Sequence, residues 1–119
     1  MRRAIKTGKV VGPYSPAIET SRTRQIYVSG QIATDLDADI KTQTRQVIQK
    51  IENILNEVDA FLSDIVKTTI FLVDIDDFAA VNEEYAKFFP SEPPARATIQ
   101  VTALPLGARI EIEAIATRD

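Results

Sequence analysis

The chain has 119 residues, 45% hydrophobic and 26% charged, with 17 acidic against 14 basic residues and a net charge of −3. That is enough sequence for one core, so a single domain over 1–119 is expected, and the slight acidic balance argues against nucleic acid as the main partner because phosphate neutralisation drives that affinity. Cysteine and histidine are both absent, which removes disulfides, thiol nucleophiles, Ser-His-Asp and Cys-His relays and every His- or Cys-ligated metal site. Acid–base chemistry is left to Asp, Glu, Lys, Tyr or water. No apolar h-region follows Met1-Arg2-Arg3 and no apolar run approaches spanning length, so a soluble, cytoplasmic protein with no membrane partner is expected.

The N-terminal cluster Arg2, Arg3, Lys6 and Lys9 reads as a solvated edge strand rather than an RNA arm. Segments near Ala4–Lys6 and Ala17–Glu19 are expected to pair as a hairpin alongside a strand at Ile26-Tyr27-Val28-Ser29. Asp39 is a plausible N-cap for a helix running to about Val58, with Ile40, Val47, Ile48, Ile51, Ile54, Leu55 and Val58 on its apolar stripe and Lys41, Gln43, Arg45 and Gln49 opposite. The β-branched and aromatic run Ile65–Val73 predicts a central strand, with Val66, Ile70 and Leu72 on one side and Phe71 and Val73 on the other.

A second, shorter helix is expected from Asp76 or Asp77, whose carboxylates suit orphan amides, burying Phe78, Val81, Tyr85 and Phe88 before Pro90. Strands at Ala97–Thr102 and Arg109–Thr117 complete the pattern. This order describes an α+β sandwich with two helices on one face of the sheet. Two helices cover only one face, and the apolar content of the other favours contact with a second copy of the chain.

Arg96 is the most informative residue. It is a permanent cation between the turn Glu92-Pro93-Pro94 and a strand-like run, and a guanidinium there is costly to desolvate unless an anion meets its planar fork. This suggests a small-acid site, and the alternative of pairing with one of the chain's own carboxylates is equally open from position alone. Arg109, Glu111 and Glu113 alternate onto one strand face, which spacing alone reads as a polar outer face; where a neighbouring subunit partly desolvates it, either carboxylate, Glu111 or Glu113, becomes a candidate to position or activate water. Tyr14 lies in the rigid turn Gly12-Pro13-Tyr14-Ser15-Pro16-Ala17, which would hold its phenol at a fixed point, and Ser29-Gly30-Gln31 allows close backbone approach or a bulge. The alternating oxygens of Asp35-Leu36-Asp37-Ala38-Asp39 lack the glycine and glutamate of a calcium loop and read as a turn with a helix cap; Asp74, Asp76 and Asp77 read the same way.

These segments together resemble the RidA/YjgF family of reactive intermediate deaminases. The matching pieces are Gly12–Ala17, Val28-Ser29-Gly30-Gln31, Asp64–Thr69, Phe78-Ala79-Ala80-Val81-Asn82, Pro94-Ala95-Arg96, Leu104-Pro105 and Ile110–Ala116, in the family's order and across nearly the whole chain. The resemblance implies a chorismate-mutase-like α+β fold assembled as a homotrimer, with a site in each cleft between subunits. It implies hydrolysis of enamine/imine intermediates such as 2-aminoacrylate and 2-iminobutyrate to 2-keto acids and ammonia, with no cofactor and no metal. Carried over by position, Arg96 grips the substrate carboxylate, Glu111 orients the attacking water, Tyr14 closes the site, backbone at Gly30 and Thr98 holds the substrate, and Ser29 lines the pocket. The same fold could instead serve a non-enzymatic regulatory protein that only binds small carboxylates. Thr98 stands where many members carry Cys, and the segment Ala33–Ile40 is shorter than the family's usual turn; neither is expected to remove activity.

Overall fold

The computed structural model describes residues 1–119. Its strands are β1 (Arg2–Ile5), β2 (Ala17–Thr20), β3 (Arg24–Gln31), β4 (Ile65–Leu72), β5 (Ala95–Gln100) and β6 (Ile110–Arg118), and its helices are α1 (Ile40–Asn56) and α2 (Phe78–Ala86). The main sheet has the order β3-β6-β4-β5. Its pairs are antiparallel except β4 and β5, which run parallel because α2 carries the chain across between them. β1 and β2 form the expected hairpin, but as a separate two-stranded sheet: β3 pairs with β6 instead.

One face of the main sheet packs against both helices. The core joins Ile70 and Leu72 of β4, Ile110, Ile112, Ala114 and Ala116 of β6, Val47, Ile48, Ile51 and Leu55 of α1, and Val81 and Tyr85 of α2. Alternation is broken once in β4, where the register with β6 shifts between Ile65 and Lys67. Ile65 therefore takes the buried place expected for Val66, which is only half-buried.

Asp39 caps α1 as its sequence indicates, accepting from the Thr42 N–H at 2.8 Å, and Asp35 accepts from the Asp37 N–H in the turn before it. The apolar stripe is narrower than expected. Ile54 and Val58 are exposed and the helix stops at Asn56, because Asp59 at φ 56° turns the chain away and sends Ala60 into the core. Gln43 is not on the outer face: it is fully buried, donates to Leu36 O and Ala38 O, and accepts from the Arg109 N–H. A buried amide satisfied at both ends fixes the loop before α1 to the start of β6.

α2 also begins differently. A turn at Ile75–Asp77 precedes it, Asp74 accepts from the Asp76 N–H, and the Asp77 carboxylate pairs with Arg109 at 3.0 Å instead of capping the helix. Arg109 thus lies before β6 and turns away from Glu111 and Glu113. Phe89 is more fully buried than Phe88, because the chain continues past the end of the helix at Ala86 in a tight turn that points it inward.

The N-terminal cluster is not uniformly solvated. The Arg2 guanidinium donates to Ile65 O at 3.1 and 2.8 Å and to Glu92 O at 2.9 Å, and burial lowers its pKa. Nearby, Asp64 is buried and binds Arg22 at 3.0 Å and Arg118 at 3.2 Å while accepting from the Phe61 N–H at 2.8 Å. One carboxylate joins the α1–β4 connection to the end of β6. Asp64→Ala is expected to cost about 2 to 3 kcal/mol of stability in denaturant titration, less than a sealed ion pair because both arginines can reach water. A change below about 0.5 kcal/mol would contradict this role.

Candidate small-acid site

The turn at Gly12-Pro13-Tyr14-Ser15 is stapled to the approach to β5. Tyr14 N–H donates to Gly12 O at 2.9 Å, Ser15 N–H to Pro94 O at 3.1 Å and Ser15 Oγ to Pro93 O at 2.5 Å, and Ser15 bridges Ala95. Those contacts, with the Lys67–Ala95 pairing, start β5 at Ala95. Arg96 accordingly lies inside the strand rather than ahead of it.

In the parallel register Arg96 stands opposite Thr68 and Thr98 opposite Ile70. Thr68 and Ile70 are buried against the helices, so both β5 side chains project to the helix side of the sheet. There the Arg96 guanidinium carbon lies 5.2 Å from the Tyr14 ring centroid, 5.6 Å from Phe78 and 5.3 Å from Tyr85. The three aromatic rings attract the cation without neutralising it. Arg96 forms no ion pair with any carboxylate of the chain. Burial lowers its pKa, partly offset by Tyr85 and Tyr14. The Tyr85 phenol is pushed up to about 12, chiefly by burial, and shares a 2.9 Å hydrogen bond with Thr68.

A pocket of about 180 Å³ opens over the guanidinium, lined by Val11, Tyr14, Phe78, Arg96 and Thr98. Arg96 Nη1 and Thr98 Oγ1 are buried there without a hydrogen-bond partner. Buried donors are rarely left unpaired, and a planar cation beside a hydroxyl has the donor pattern that a carboxylate accepts. The Thr98 side chain, and not only its backbone, is thus placed at the site.

The second group of expected residues lies elsewhere. Glu111 pairs with Phe71 in the β4–β6 register and, like Phe71, is half-buried on the face away from the helices. Arg96 and Glu111 are therefore on opposite faces of one sheet. Gly30 lies close against the Glu111 side chain: a Cβ built there would meet Glu111 Cδ at 2.7 Å and Cγ at 3.0 Å, with Oε2 closer still. Ser29 and Gly30 sit where the β3–β6 register shifts between Val28 and Gln31, so both readings of Gly30, a bulge and a close approach, hold together. One chain thus brings together Tyr14, Arg96 and Thr98, and separately Ser29, Gly30 and Glu111.

The sequence reading missed Asn82 as a site residue. It lies one helical turn after Phe78 on α2, and a Cβ built on Gly12 would meet Asn82 Nδ2 and Arg96 Nη2 at 3.1 Å each. That i, i+4 relation to an aromatic wall of the pocket is the signal that could have found it.

The chain is thus a two-helix α+β sandwich carrying an arginine boxed by aromatic rings and without an ion-pair partner. The chain belongs to the RidA/YjgF family, whose model, described as Endoribonuclease L-PSP, matches residues 4–118. It is 43% identical over 125 residues to a human protein named 2-iminobutanoate/2-iminopropanoate deaminase, covering 98% of this chain and 90% of that one. It is 41% identical over 124 residues to Protein DfrA of Myxococcus xanthus, covering 97% and 95%. The crystal structure of the YjgF gene product from E. coli matches with a TM-score of 0.76 at 35% identity, covering 98% of this chain and 99% of that one.

Gly30→Ala is expected to displace the Glu111 side chain while leaving the β3–β6 pairing intact. A crystal structure of the variant with Glu111 in its present position would contradict the close approach.

Proposed function

We propose that the chain hydrolyses small 2-imino and 2-enamino acids, such as 2-iminobutyrate and 2-aminoacrylate, to 2-keto acids and ammonia in a cleft completed by a second copy of itself. The observation that carries this reading is the Arg96 guanidinium, half-buried among aromatic rings with its Nη1 buried and unpartnered. The 43% identity to the human protein of that name supports the reaction class.

Arg96 and the Thr98 hydroxyl hold the substrate carboxylate, and Tyr14 closes over it. A 2-enamino acid first becomes the 2-imino acid by loss of an N–H proton and gain of one at C3; Glu111 of the neighbouring copy then orients a water and takes its proton as the oxygen attacks the imine carbon. The C–O bond forms and the imine nitrogen is protonated to a carbinolamine. The C–N bond then breaks, ammonia leaves, and the remaining hydroxyl proton is lost to give the keto acid. An imine carbon is already electrophilic, so positioning the acid and delivering the water are sufficient tasks for the protein.

Two features support a shared cleft. A substrate this small cannot reach through the sheet from Arg96 to Glu111 of the same chain. The face bearing Glu111 also exposes Tyr27 and Ile99 beside half-buried Phe71 and Ile115, an apolar surface suited to another subunit. A homotrimer satisfies both conditions, because a closed ring gives each cleft one Arg96 edge and one Glu111 face. The carboxylate-binding regulator is the second reading, favoured by an acid pocket that is formed without Glu111.

Coupling the purified protein to a serine or threonine dehydratase and following imine absorbance checks the proposal. Arg96→Ala should lower kcat/KM about a hundredfold or more, having lost charge-assisted bonds of about 1.5 to 3 kcal/mol each. Glu111→Gln should lower kcat on the order of a hundredfold or more while 2-ketobutyrate still binds. Full activity in Arg96→Ala, or a stable monomer in sedimentation, would contradict the reading; ligand binding with no turnover in the unaltered protein would favour the regulator.

A further inference from the structure

Asn82 presents a polar atom that a carboxylate cannot satisfy. Its Oδ1 is buried without a hydrogen-bond partner, as are Arg96 Nη1 and the Thr98 hydroxyl. The three residues are neighbours: Asn82 and Arg96 both press on Gly12, and Arg96 and Thr98 line one pocket. The guanidinium and the hydroxyl are accounted for by the two oxygens of a bound acid, but Oδ1 accepts only, and a carboxylate is also only an acceptor. Arg96 stands beside Asn82 yet donates nothing to it, so neither orphan serves the other.

A ligand that satisfies all three atoms carries a carboxylate and, on the next carbon, an N–H or O–H donor. We infer that Asn82 Oδ1 accepts a hydrogen bond from the 2-imino or 2-amino N–H of the bound acid and so makes the pocket prefer imino acids over the keto acids they become. This deepens the proposed function and rests on it for the identity of the substrate. The product has a carbonyl oxygen where the substrate has an N–H, and two acceptors then face each other across a desolvated site. Such a mismatch discriminates strongly, because the buried oxygen of Asn82 is left without a partner. The preference favours release of product after each turnover.

Three stable acids test the inference without turnover: butyrate, with a carboxylate alone; 2-hydroxybutyrate, which adds an O–H donor; and 2-ketobutyrate, which adds an acceptor. In calorimetry the unaltered protein should bind 2-hydroxybutyrate on the order of tenfold more tightly than 2-ketobutyrate. Asn82→Ala should abolish that ratio with butyrate affinity held within about twofold. Asn82→Asp keeps an acceptor and should keep the ratio while weakening all three through charge repulsion. Equal affinity of the unaltered protein for the hydroxy and keto acids overturns the inference. So does an Asn82→Ala variant that weakens all three acids alike, since the amide would then only prop Arg96. Failure of imine hydrolysis would instead overturn the proposed reaction and leave the binding ratio standing.

Discussion

The arrangement depends on one unpaired guanidinium. Arg96 is half-desolvated beside three aromatic rings and has no carboxylate of its own chain within ion-pair distance. Four other arginines are ion-paired, Arg22 and Arg118 with Asp64, Arg109 with Asp77 and Arg3 with Glu19, while Arg2 and Arg24 donate to backbone carbonyls and Arg45 to the Thr42 hydroxyl. Desolvating a cation costs free energy that ring quadrupoles only partly offset, and in the proposed function an external anion completes the electrostatics. The fold around it is organised to hold that cation still. Ser15 ties the Tyr14 turn to the start of β5, Gly12 lets that turn approach Arg96 and Asn82, and Tyr85 packs in the core while bonded to Thr68.

The second constraint is the parity of the sheet. Arg96 and Glu111 have roles in one proposed reaction, yet the β4–β5 and β4–β6 registers put them on opposite sides. The helices occupy one side, which leaves Glu111 among Tyr27, Phe71, Ile99 and Ile115 on the other. In the proposed function self-association and catalysis become one problem: the apolar face away from the helices is also the face that carries Glu111, the proposed water-directing group. Gly30 belongs to the same logic, since a side chain there would push the carboxylate out of place.

Much of this was legible in the residues. Periodicity identified α1 and α2, β-branched runs identified β4 and β6, and Asp39 marked the cap of α1. Arg96 stood out because a cation beside a strand needs an explanation. What failed did so for definite reasons. A bulge near Val66 inverted the alternation of β4 at one point, and pattern counting cannot detect an extra residue. Gln43 and Asp77 looked like surface and cap residues by type, but tertiary partners, the Arg109 N–H and the Arg109 guanidinium, claimed them. The separation of Arg96 from Glu111 could not be read from either strand alone, because facing is set by which strands pair and in what register. Asn82 does not stand out by residue type; only its i, i+4 spacing from Phe78 hints at it, and its place beside Arg96 at Gly12 appears only in the fold.

The most direct measurement of a divided site is complementation between two inactive variants. Arg96→Ala and Glu111→Gln chains are unfolded, mixed in equal amounts and refolded together, and imine hydrolysis is compared with that of each variant refolded alone. If each cleft draws Arg96 from one copy and Glu111 from its neighbour, about a quarter of the clefts in the mixed assembly carry both residues and activity returns in that proportion. Mixed assemblies no more active than the separate variants would mean that a single chain supplies both groups, and the shared cleft would be wrong.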